Sequence, residues 1–367
     1  MKKRIVFVIT NDLKYDQRMQ RICNSLQANG YDVTLIGTDI RNNKKPSKTS
    51  YRQIQLHAVF KKGKLFYAEF NLKAFIRLMI LPFDAVCAVD LDSIMPCLWA
   101  SRLRNKKRGY DAHELFCELP EIINRPRIYR TWKKIEQHSL PYFTDGYSVS
   151  ESISAEYNRM YGHDYATIRN IGLLNEQPPA DSPISKPYIL YQGALNEGRG
   201  IEFLLPAMAG VDLPLVICGE GNFSAQARKI VNELKLHDKV LFQGMIEPHL
   251  LPAYTFHARV GINLGDGTGL NNYLSLNNKF FDYIHAALPQ VVMDFPEFRK
   301  FNDEFEVAVL IPDLRTESIS KAINRLLMDS ELYNRLKVNC KHASVVVNWQ
   351  QEEKKLLDFY KNLFNTH

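Results

Sequence analysis

The stretch LNNKFFDYIHAALPQVVMD (residues 276–294) is the most informative part of this 367-residue chain. Its first part predicts a helix, because Phe280, Ile284 and Ala287 recur at helical spacing and form an apolar face. The helix is expected to end at the Leu-Pro pair, since a proline disfavours helical backbone in the residue before it. The apolar run 290–293 then predicts a short buried strand. A helix that leads directly into a buried strand is typical of an α/β domain.

The start of this helix carries Asn278, Lys279 and Asp282 within about one turn. A helix N-terminus favours anions, and a lysine with a nearby carboxylate suits a ligand that has both phosphate and hydroxyl groups. This pattern predicts a nucleotide-sugar site. The alternative is an ordinary amphipathic helix with Lys and Asp on its solvated face.

The sequence predicts two successive doubly wound α/β domains. A pattern of alternating strands and helices is interrupted by a Pro- and Ser-rich segment and then begins again. We expect a first domain at 1–172, a linker at 173–187 and a second domain at 188–347. A helix at 348–364 is expected to pack back on the first domain. Strands are predicted at 4–10, 31–36, 54–59, 85–89, near 109–110, and at 146–149, 188–191, 213–218, 240–243, 260–264, 290–293 and 308–311.

Composition narrows the class of protein. The hydrophobic fraction of 46% is that of a globular chain. Six scattered cysteines without a CxxC pair favour reduced, buried thiols over disulfides or a zinc site. No signal peptide and no run of ~18 apolar residues is present, so we expect a soluble, cytoplasmic protein.

The charge is concentrated in the first half of the chain. Residues 1–180 contain 28 Lys and Arg against 18 Asp and Glu, whereas residues 181–367 contain 19 against 22. Basic residues interleave with aromatic and aliphatic ones at 60–80, and a second basic run spans 102–108. These features indicate peripheral contact with the inner membrane face, or core helices with a solvated rim. No nucleic-acid-binding module is recognised.

Polar residues follow several predicted strands of the first domain, where ligands bind in doubly wound sheets. Asn11 and Asp12 follow the first strand, Asp92 follows the strand near residue 89, and His113 and Glu114 follow the next. A histidine beside carboxylates can polarise or hydrogen-bond a substrate. Paired carboxylates can hold a metal, but no further ligand spacing supports one, and capping of turns is the simpler explanation.

Two glycine-containing loops follow strands of the second domain. The loop GALNEGRG (193–200) opens a helix, and its Arg199 could bind a diphosphate with two hydrogen bonds. A tight turn between strand and helix is the alternative explanation for these glycines. The second loop, CGEGN (218–222), is not a GxGxxG sequence, and none follows the first strand of the chain. A nicotinamide enzyme is therefore disfavoured.

Together these segments resemble the family 4 glycosyltransferases over essentially the whole chain. That family has the GT-B fold, in which two Rossmann-like domains face each other across a cleft. The resemblance implies transfer of a sugar from a UDP- or GDP-sugar with retention of anomeric configuration and without a required metal or other cofactor. It places the donor mainly in the second domain and the acceptor mainly in the first. The segments are YDAHELFCELPE (110–121), IRNIG (168–172), YQGALNEGRGIEFLLPA (191–207), ICGEG (217–221), VLFQGMI (240–246) and SLNNKFFDYIHAALPQVV (275–292).

The resemblance assigns roles to individual residues. His113 falls near the transferred sugar, Arg199 and Lys279 near the diphosphate, and Asp282 near the ribose hydroxyls. Further donor-binding positions are Gly193, Gly198, Gly219, Glu220, Gly244 and Asn278. On the acceptor side lie Asn11, Asp12, Asp92 and Glu114.

The chain departs from the family pattern at three positions. Ala194 stands where many members have a second arginine, Asp282 is shorter than the usual glutamate, and Leu274 replaces the first glutamate of a pair. We expect a glycosyltransferase that acts on a saccharide or lipid-linked saccharide in surface polysaccharide assembly. The alternatives are a GT-B-fold sugar-nucleotide epimerase using Asp92 and Glu114, and a non-catalytic nucleotide-sugar-binding protein.

Overall fold

The computed structural model describes residues 2–13, 16–38, 49–175, 179 and 181–365. The chain divides into two compact units, one made of Met1–Arg169 with Glu352–His367 and the other of Asn170–Gln351. Each unit is built around one sheet of parallel strands. The predicted linker 173–187 lies within the second unit, and its residues 176–178 and 180 are outside the described part of the chain.

The first unit contains a seven-stranded parallel sheet. Its strands are β1 (Arg4–Asp12), β2 (Asp32–Thr38), β3 (Arg52–Leu56), β4 (Ala85–Val89), β5 (Lys107–Ala112), β6 (Gly146–Ser148) and β7 (Ala166–Thr167). They pair in the order β3-β2-β1-β4-β5-β6-β7. The chain therefore reverses direction across the sheet between β1 and β4, which is where doubly wound sheets bind ligands. β4 is buried at every residue, as expected for a central parallel strand with helices on both faces.

Helices cover this sheet. They are α1 (Gln17–Ala28), α2 (Gly63–Ile80), α3 (Ile94–Leu103), α4 (Pro120–Ile123), α5 (Pro126–Ser139) and α6 (Glu151–Tyr161). α1 begins where the Asp16 carboxylate accepts a hydrogen bond from the backbone N–H of Met19 at 2.9 Å. It ends before Gly30, whose φ of 90° is readily adopted only by glycine.

The second unit repeats the same architecture with six parallel strands. These are β8 (Ile189–Gln192), β9 (Leu215–Cys218), β10 (Val240–Gly244), β11 (Val260–Asn263), β12 (Gln290–Met293) and β13 (Ala308–Ile311), paired in the order β10-β9-β8-β11-β12-β13. The helices are α7 (Ile201–Ala207), α8 (Ser224–Glu233), α9 (Leu251–His257), α10 (Leu270–Leu274), α11 (Asn278–His285), α12 (Pro296–Phe305), α13 (Thr316–Met328) and α14 (Ser330–Val346). The predicted two-domain, Rossmann-like α/β fold is confirmed.

The last helix, α15 (Trp349–Asn365), joins the first unit from Glu352 onward. Its Phe359 ring lies 4.9 Å from Tyr147. Glu352 also accepts a hydrogen bond from the backbone N–H of Arg169 at 2.9 Å, which fixes the end of the first unit to this helix.

Several local details differ from the sequence-based expectation, and the strand expected at 54–59 spans Arg52–Leu56. β1 continues through Asn11 and Asp12, which were expected to form a turn, because β2 supplies a further pairing partner at Thr38. The helix of the opening stretch ends at His285, earlier than the Leu-Pro pair, and Ala287 turns the chain with a φ of 51°. The two-residue edge strand β7 had no sequence signal of its own.

All six cysteine thiols are free and buried. None of the described helices is long and apolar enough to cross a bilayer.

Candidate functional site

The carboxyl ends of β1, β4 and β5 bring the predicted acceptor-side residues to one edge of the first sheet. There Thr10 donates a hydrogen bond to the Asp92 carboxylate at 2.5 Å. Burial, opposed by that hydrogen bond, raises the pKa of Asp92 to about 7. Asn11 is exposed and donates to Asp16 at 3.2 Å, while Asp12 is partly buried at the end of β1. Asp92, like Asp12, is half-buried, and Thr10 fixes its carboxylate.

Asp90 organises the turn that carries the histidine. Its carboxylate accepts hydrogen bonds from the backbone N–H groups of His113 at 2.9 Å and Glu114 at 3.2 Å. Asp90 itself has a φ of 56°, a conformation that few residues other than glycine adopt. Glu114 is half-buried, and its carbonyl accepts a hydrogen bond from the Tyr157 hydroxyl. The turn after β5 is therefore held in place by β4 and α6.

His113 lies between two carboxylates. Its Nε2 is 3.1 Å from Asp111 Oδ2, and its Nδ1 is 3.9 Å from Asp90 Oδ2. Burial disfavours the charged ring, but the two carboxylates outweigh burial and raise the pKa of His113 to about 9. The imidazole is therefore a cation at neutral pH, and it serves as a hydrogen-bond donor and positive charge rather than as a base.

Arg18 is a residue of this site that the sequence analysis missed. Its guanidinium is buried and lies 3.0 Å from Asp111 Oδ1, with a further hydrogen bond to the carbonyl of Ile168. Arg18 and His113 thus share one buried carboxylate, whose pKa falls because these two cations outweigh the effect of burial. The sequence offered one signal for this role, because Arg18 directly precedes Met19, the first apolar residue of the buried α1 face.

In the second unit, the two glycine-containing loops lie against each other, backbone to backbone. The N–H of Gly193 donates to the carbonyl of Cys218 at 3.0 Å, and the N–H of Leu195 donates to the carbonyl of Glu220 at 3.3 Å. A Cβ atom at Gly219 would lie only 1.9 Å from the Gly193 carbonyl oxygen. Only a glycine at position 219 allows the two loops to lie this close together. Gly193 is exposed and lies beside the start of α11.

Lys279 is the most unusual of the candidate donor-binding side chains in the second unit. It is 8% exposed, and its ammonium has no hydrogen-bond partner among the described residues. Its Nζ lies 4.0 Å from the centre of the Tyr191 ring, and a Cβ atom on Gly193 would be 3.8 Å from it. Burial, together with the positive charge of Arg199, lowers the pKa of Lys279 to about 7. Gly193, Arg199 and Lys279 therefore come together around an uncompensated positive charge.

The other predicted donor-side residues have definite partners. Asp282 accepts a hydrogen bond from Gln192 at 2.9 Å, and Gln192 in turn accepts one from Thr255. Glu220 forms an ion pair with Arg228 at 2.7 Å. Gly244 lies beside Glu220, since a Cβ atom there would be 3.8 Å from Glu220 Oε1.

Asn278 was expected to contribute to the start of α11, but the capping residue is Asn277. Its side chain accepts from the N–H of Phe280 and donates to Asn263 at 2.6 Å, whereas Asn278 is exposed. A small polar cavity of about 30 Å³ lies beside this cap, and its lining includes Gly198, Arg199, Asn272 and Ser275. Asn272 and Ser275 are thus placed to offer the polar contacts that Leu274 lacks. In the described part of the chain, no three His, Cys, Asp or Glu side chains converge as a metal site would require.

Comparison with known proteins agrees with this geometry. Residues 186–329 match the family described as Glycosyl transferases group 1. The match lies entirely within the second unit. The chain is 26% identical over 160 residues to the alpha-D-kanosaminyltransferase of Streptomyces kanamyceticus. The aligned segment covers 42% of this chain and 40% of that protein. The aligned segment is therefore less than half the length of this relative.

Solved structures match over nearly the full length. The sucrose-phosphate synthase of Thermosynechococcus elongatus has a TM-score of 0.81 at 18% identity and covers 99% of both chains. The Anabaena protein HepE, in complex with UDP and glucose, has a TM-score of 0.74 at 12% identity and covers 97% of this chain and 99% of its own. The match over residues 186–329 confirms the predicted resemblance to glycosyltransferases, and the solved structures confirm the predicted GT-B fold. The residue assignments stay predictions.

Proposed function

We propose that this chain is a group 1 glycosyl transferase that moves a sugar from a UDP- or GDP-sugar to a saccharide or lipid-linked saccharide, with retention of anomeric configuration. The observation that carries the proposal is the buried ammonium of Lys279, which lies beside Gly193 and has no hydrogen-bond partner in the part of the chain that the structure describes. A buried charge without a partner is costly, so a site that keeps one is built for a counter-charge. A nucleotide diphosphate supplies that charge.

The surroundings of Lys279 favour a diphosphate over a single carboxylate. Arg199 is close enough to lower the pKa of Lys279, so two cations act on the same space. The exposed backbone of Gly193 allows a phosphate to approach closely. The relative HepE, with the same fold, binds UDP and UDP-glucose in its crystals, which supports a nucleotide-sugar donor for this chain as well.

In the proposed reaction the nucleoside diphosphate is the leaving group. Lys279 and Arg199 stabilise the negative charge that builds on it, which is commonly the largest catalytic contribution. His113 donates a hydrogen bond or a positive charge to an oxygen of the transferred sugar. The acceptor hydroxyl attacks from the face that the diphosphate leaves, and a departing phosphate oxygen takes its proton. Asp92, which is held by Thr10, orients an acceptor hydroxyl.

The acceptor class follows from charge. Residues 1–180 carry the excess of Lys and Arg, so an acceptor with its own phosphates is favoured. Together with the resemblance to family 4 glycosyltransferases, this charge leads us to propose a role in surface polysaccharide assembly, in the cytoplasm at the inner membrane face.

The donor assignment is tested by calorimetry with UDP, GDP and their sugars on the wild-type protein and on Lys279→Ala and Arg199→Ala. Each substitution is expected to weaken nucleotide binding and to reduce turnover by about 10²–10³-fold. Lys321→Ala, which removes an exposed lysine of α13, is the matched control and should bind normally. Near-wild-type binding and turnover in both site variants would overturn the assignment.

The reaction type is tested by following nucleotide release and product stereochemistry by NMR. Release of free nucleoside diphosphate that depends on an acceptor, with the donor's anomeric configuration kept in the product, is the expected result. Conversion of the nucleotide sugar without an acceptor would instead identify an epimerase. Tight binding without turnover across many acceptors would identify a binding protein.

A further inference from the structure

Helix α2 has one face that builds the core of the first unit. Phe66, Phe70, Ala74 and Leu78 recur every four residues, and all four are buried. This spacing is that of an ordinary amphipathic helix packed on a sheet, so the opposite face is expected to be polar.

The opposite face is apolar instead. Leu65, Leu72, Ile76, Met79 and Ile80 form it, with Leu72 60% and Ile80 69% exposed. We call these five residues the outer face of α2. A surface helix with two apolar faces needs a second apolar environment, since only one of its faces meets the protein interior.

Neighbouring residues extend the outer face. Val59 and Phe60 are exposed just before α2, and the Glu69 carboxylate holds both by accepting their backbone N–H groups at 2.9 and 3.0 Å. On α3, Trp99 is also exposed, and its ring packs against Phe75 of α2 at 6.1 Å. The apolar surface is therefore contiguous and held in place, unlike scattered single exposed residues.

Positive charge surrounds this surface. Residues 59–80 contain five cations, Lys61, Lys62, Lys64, Lys73 and Arg77, and one acid, Glu69. That acid is paired with Lys73 at 2.5 Å. Lys61, Lys62 and Lys64 are all exposed at the start of the helix. Residues 59–80 thus combine the apolar outer face of α2 with a net charge of +4.

We propose that the outer face of α2 docks on an anionic lipid bilayer. Apolar side chains that enter the acyl boundary and lysines that contact anionic headgroups are the two contributions that hold an interfacial helix. A second copy of this chain would bring the same excess of positive charge to the contact, and that repulsion disfavours self-association. A bilayer satisfies both the apolar side chains and the charge.

The docking surface is connected to the acceptor side of the first unit. Asn71 of α2 donates a hydrogen bond to the backbone carbonyl of Asp92 at 3.0 Å. A bilayer bound along α2 would therefore bring lipid-linked molecules next to the turn that carries Asp92. This last step rests on the proposed function, whereas the docking itself does not.

The test is co-sedimentation of the full chain with vesicles of phosphatidylcholine alone and of phosphatidylcholine mixed with phosphatidylglycerol. We expect binding only to the anionic vesicles, weakened by salt. The double variant Leu72→Ser/Ile76→Ser should lower vesicle affinity at least about tenfold, because two aliphatic side chains no longer leave water. The double variant Met328→Ser/Val345→Ser removes equally exposed apolar residues of the second unit and should bind normally.

Three results would overturn the proposal. The wild-type protein could stay in the supernatant with anionic vesicles, or Leu72→Ser/Ile76→Ser could sediment as the wild type does. Alternatively, sedimentation velocity could detect a lipid-free dimer that this double variant abolishes, which would make a second copy the occupant. Calorimetry with UDP and GDP sugars on the same preparations tests the donor site separately, so failure of docking and failure of the proposed function are distinguishable.

Discussion

Binding of a nucleoside diphosphate should be coupled to proton uptake by Lys279. In the ligand-free protein, burial and then Arg199 lower the pKa of this ammonium from 10.5 to about 7. A bound diphosphate supplies the missing counter-charge and should return the pKa towards its ordinary value. At pH 8 a group with a pKa of about 7 is only ~10% protonated, so binding should take up ~0.9 proton. At pH 6 the uptake by the same group should fall to ~0.1 proton.

Calorimetry in buffers of different ionisation enthalpy measures this number directly, because the slope of the observed enthalpy against buffer enthalpy equals the protons exchanged. The terminal phosphate is already ionised at pH 8, so it adds little. Lys279→Met should bind more weakly and show a slope near zero, and Lys321→Met, an exposed control, should keep the wild-type slope. Tight wild-type binding at pH 8 without proton uptake would refute the reasoning, since Lys279 would then be charged beforehand or remote from the ligand.

Further predictions concern charge and close packing. Because unfolded Lys279 keeps its proton to about pH 10.5 and the folded apo protein releases it near pH 7, apo stability should rise with pH between these values. Lys279→Met should abolish that rise and increase the free energy of unfolding below pH 7 by up to about 5 kcal/mol, measured by urea unfolding; an unchanged pH slope would contradict this. The NMR titration of His113 should have its midpoint near pH 9, so its stabilising contribution is complete below pH 6.5 and is lost as the pH rises through 9. Asp111→Asn should lower that midpoint by at least about one unit, and an unshifted midpoint would rule out this ion pair as its cause. Gly219→Ala places a Cβ atom 1.9 Å from a carbonyl oxygen, so it should lower the free energy of urea unfolding by about 3 kcal/mol and abolish nucleotide binding. In the control Gly172→Ala, the new Cβ atom meets no atom within 4 Å, so the change should be nearly neutral. Equal effects of the two substitutions would refute the steric argument.

The arrangement of the fold was accessible from the sequence because its strands are buried on both faces. Such strands appear as continuous apolar runs, and AVCAV of β4 and QVVM of β12 were located at their observed bounds. The ends of elements were less accessible. Asn11 and Asp12 resemble turn residues, yet pairing with β2 keeps them in β1. The cap of α11 is Asn277, for which the sequence analysis made no prediction.

Partners distant in sequence could not be predicted. Arg18 and Asp111 are 93 positions apart, and their pairing depends on how α1 packs against the end of β5. The sequence also left two interpretations of the basic, aromatic segment before β4, namely a core helix or a membrane-facing one. The structure shows that α2 has a core face, which includes Phe70, and an exposed apolar face, which includes Leu72; membrane contact stays a prediction.

The candidate residues of the two units differ in how their positive charge is compensated. His113 is compensated within the first unit by Asp111 and Asp90, so its charge exists before any ligand arrives. Among the described residues, the Lys279 ammonium has no hydrogen-bonded carboxylate, and burial together with the charge of Arg199 lowers its pKa to about 7. This difference explains why a lysine suits the second position, since an arginine could not release its proton and would keep a buried, uncompensated charge in the ligand-free protein. The affinity for a diphosphate is therefore expected to be set at Lys279, whereas His113 presents a constant charge over the same pH range.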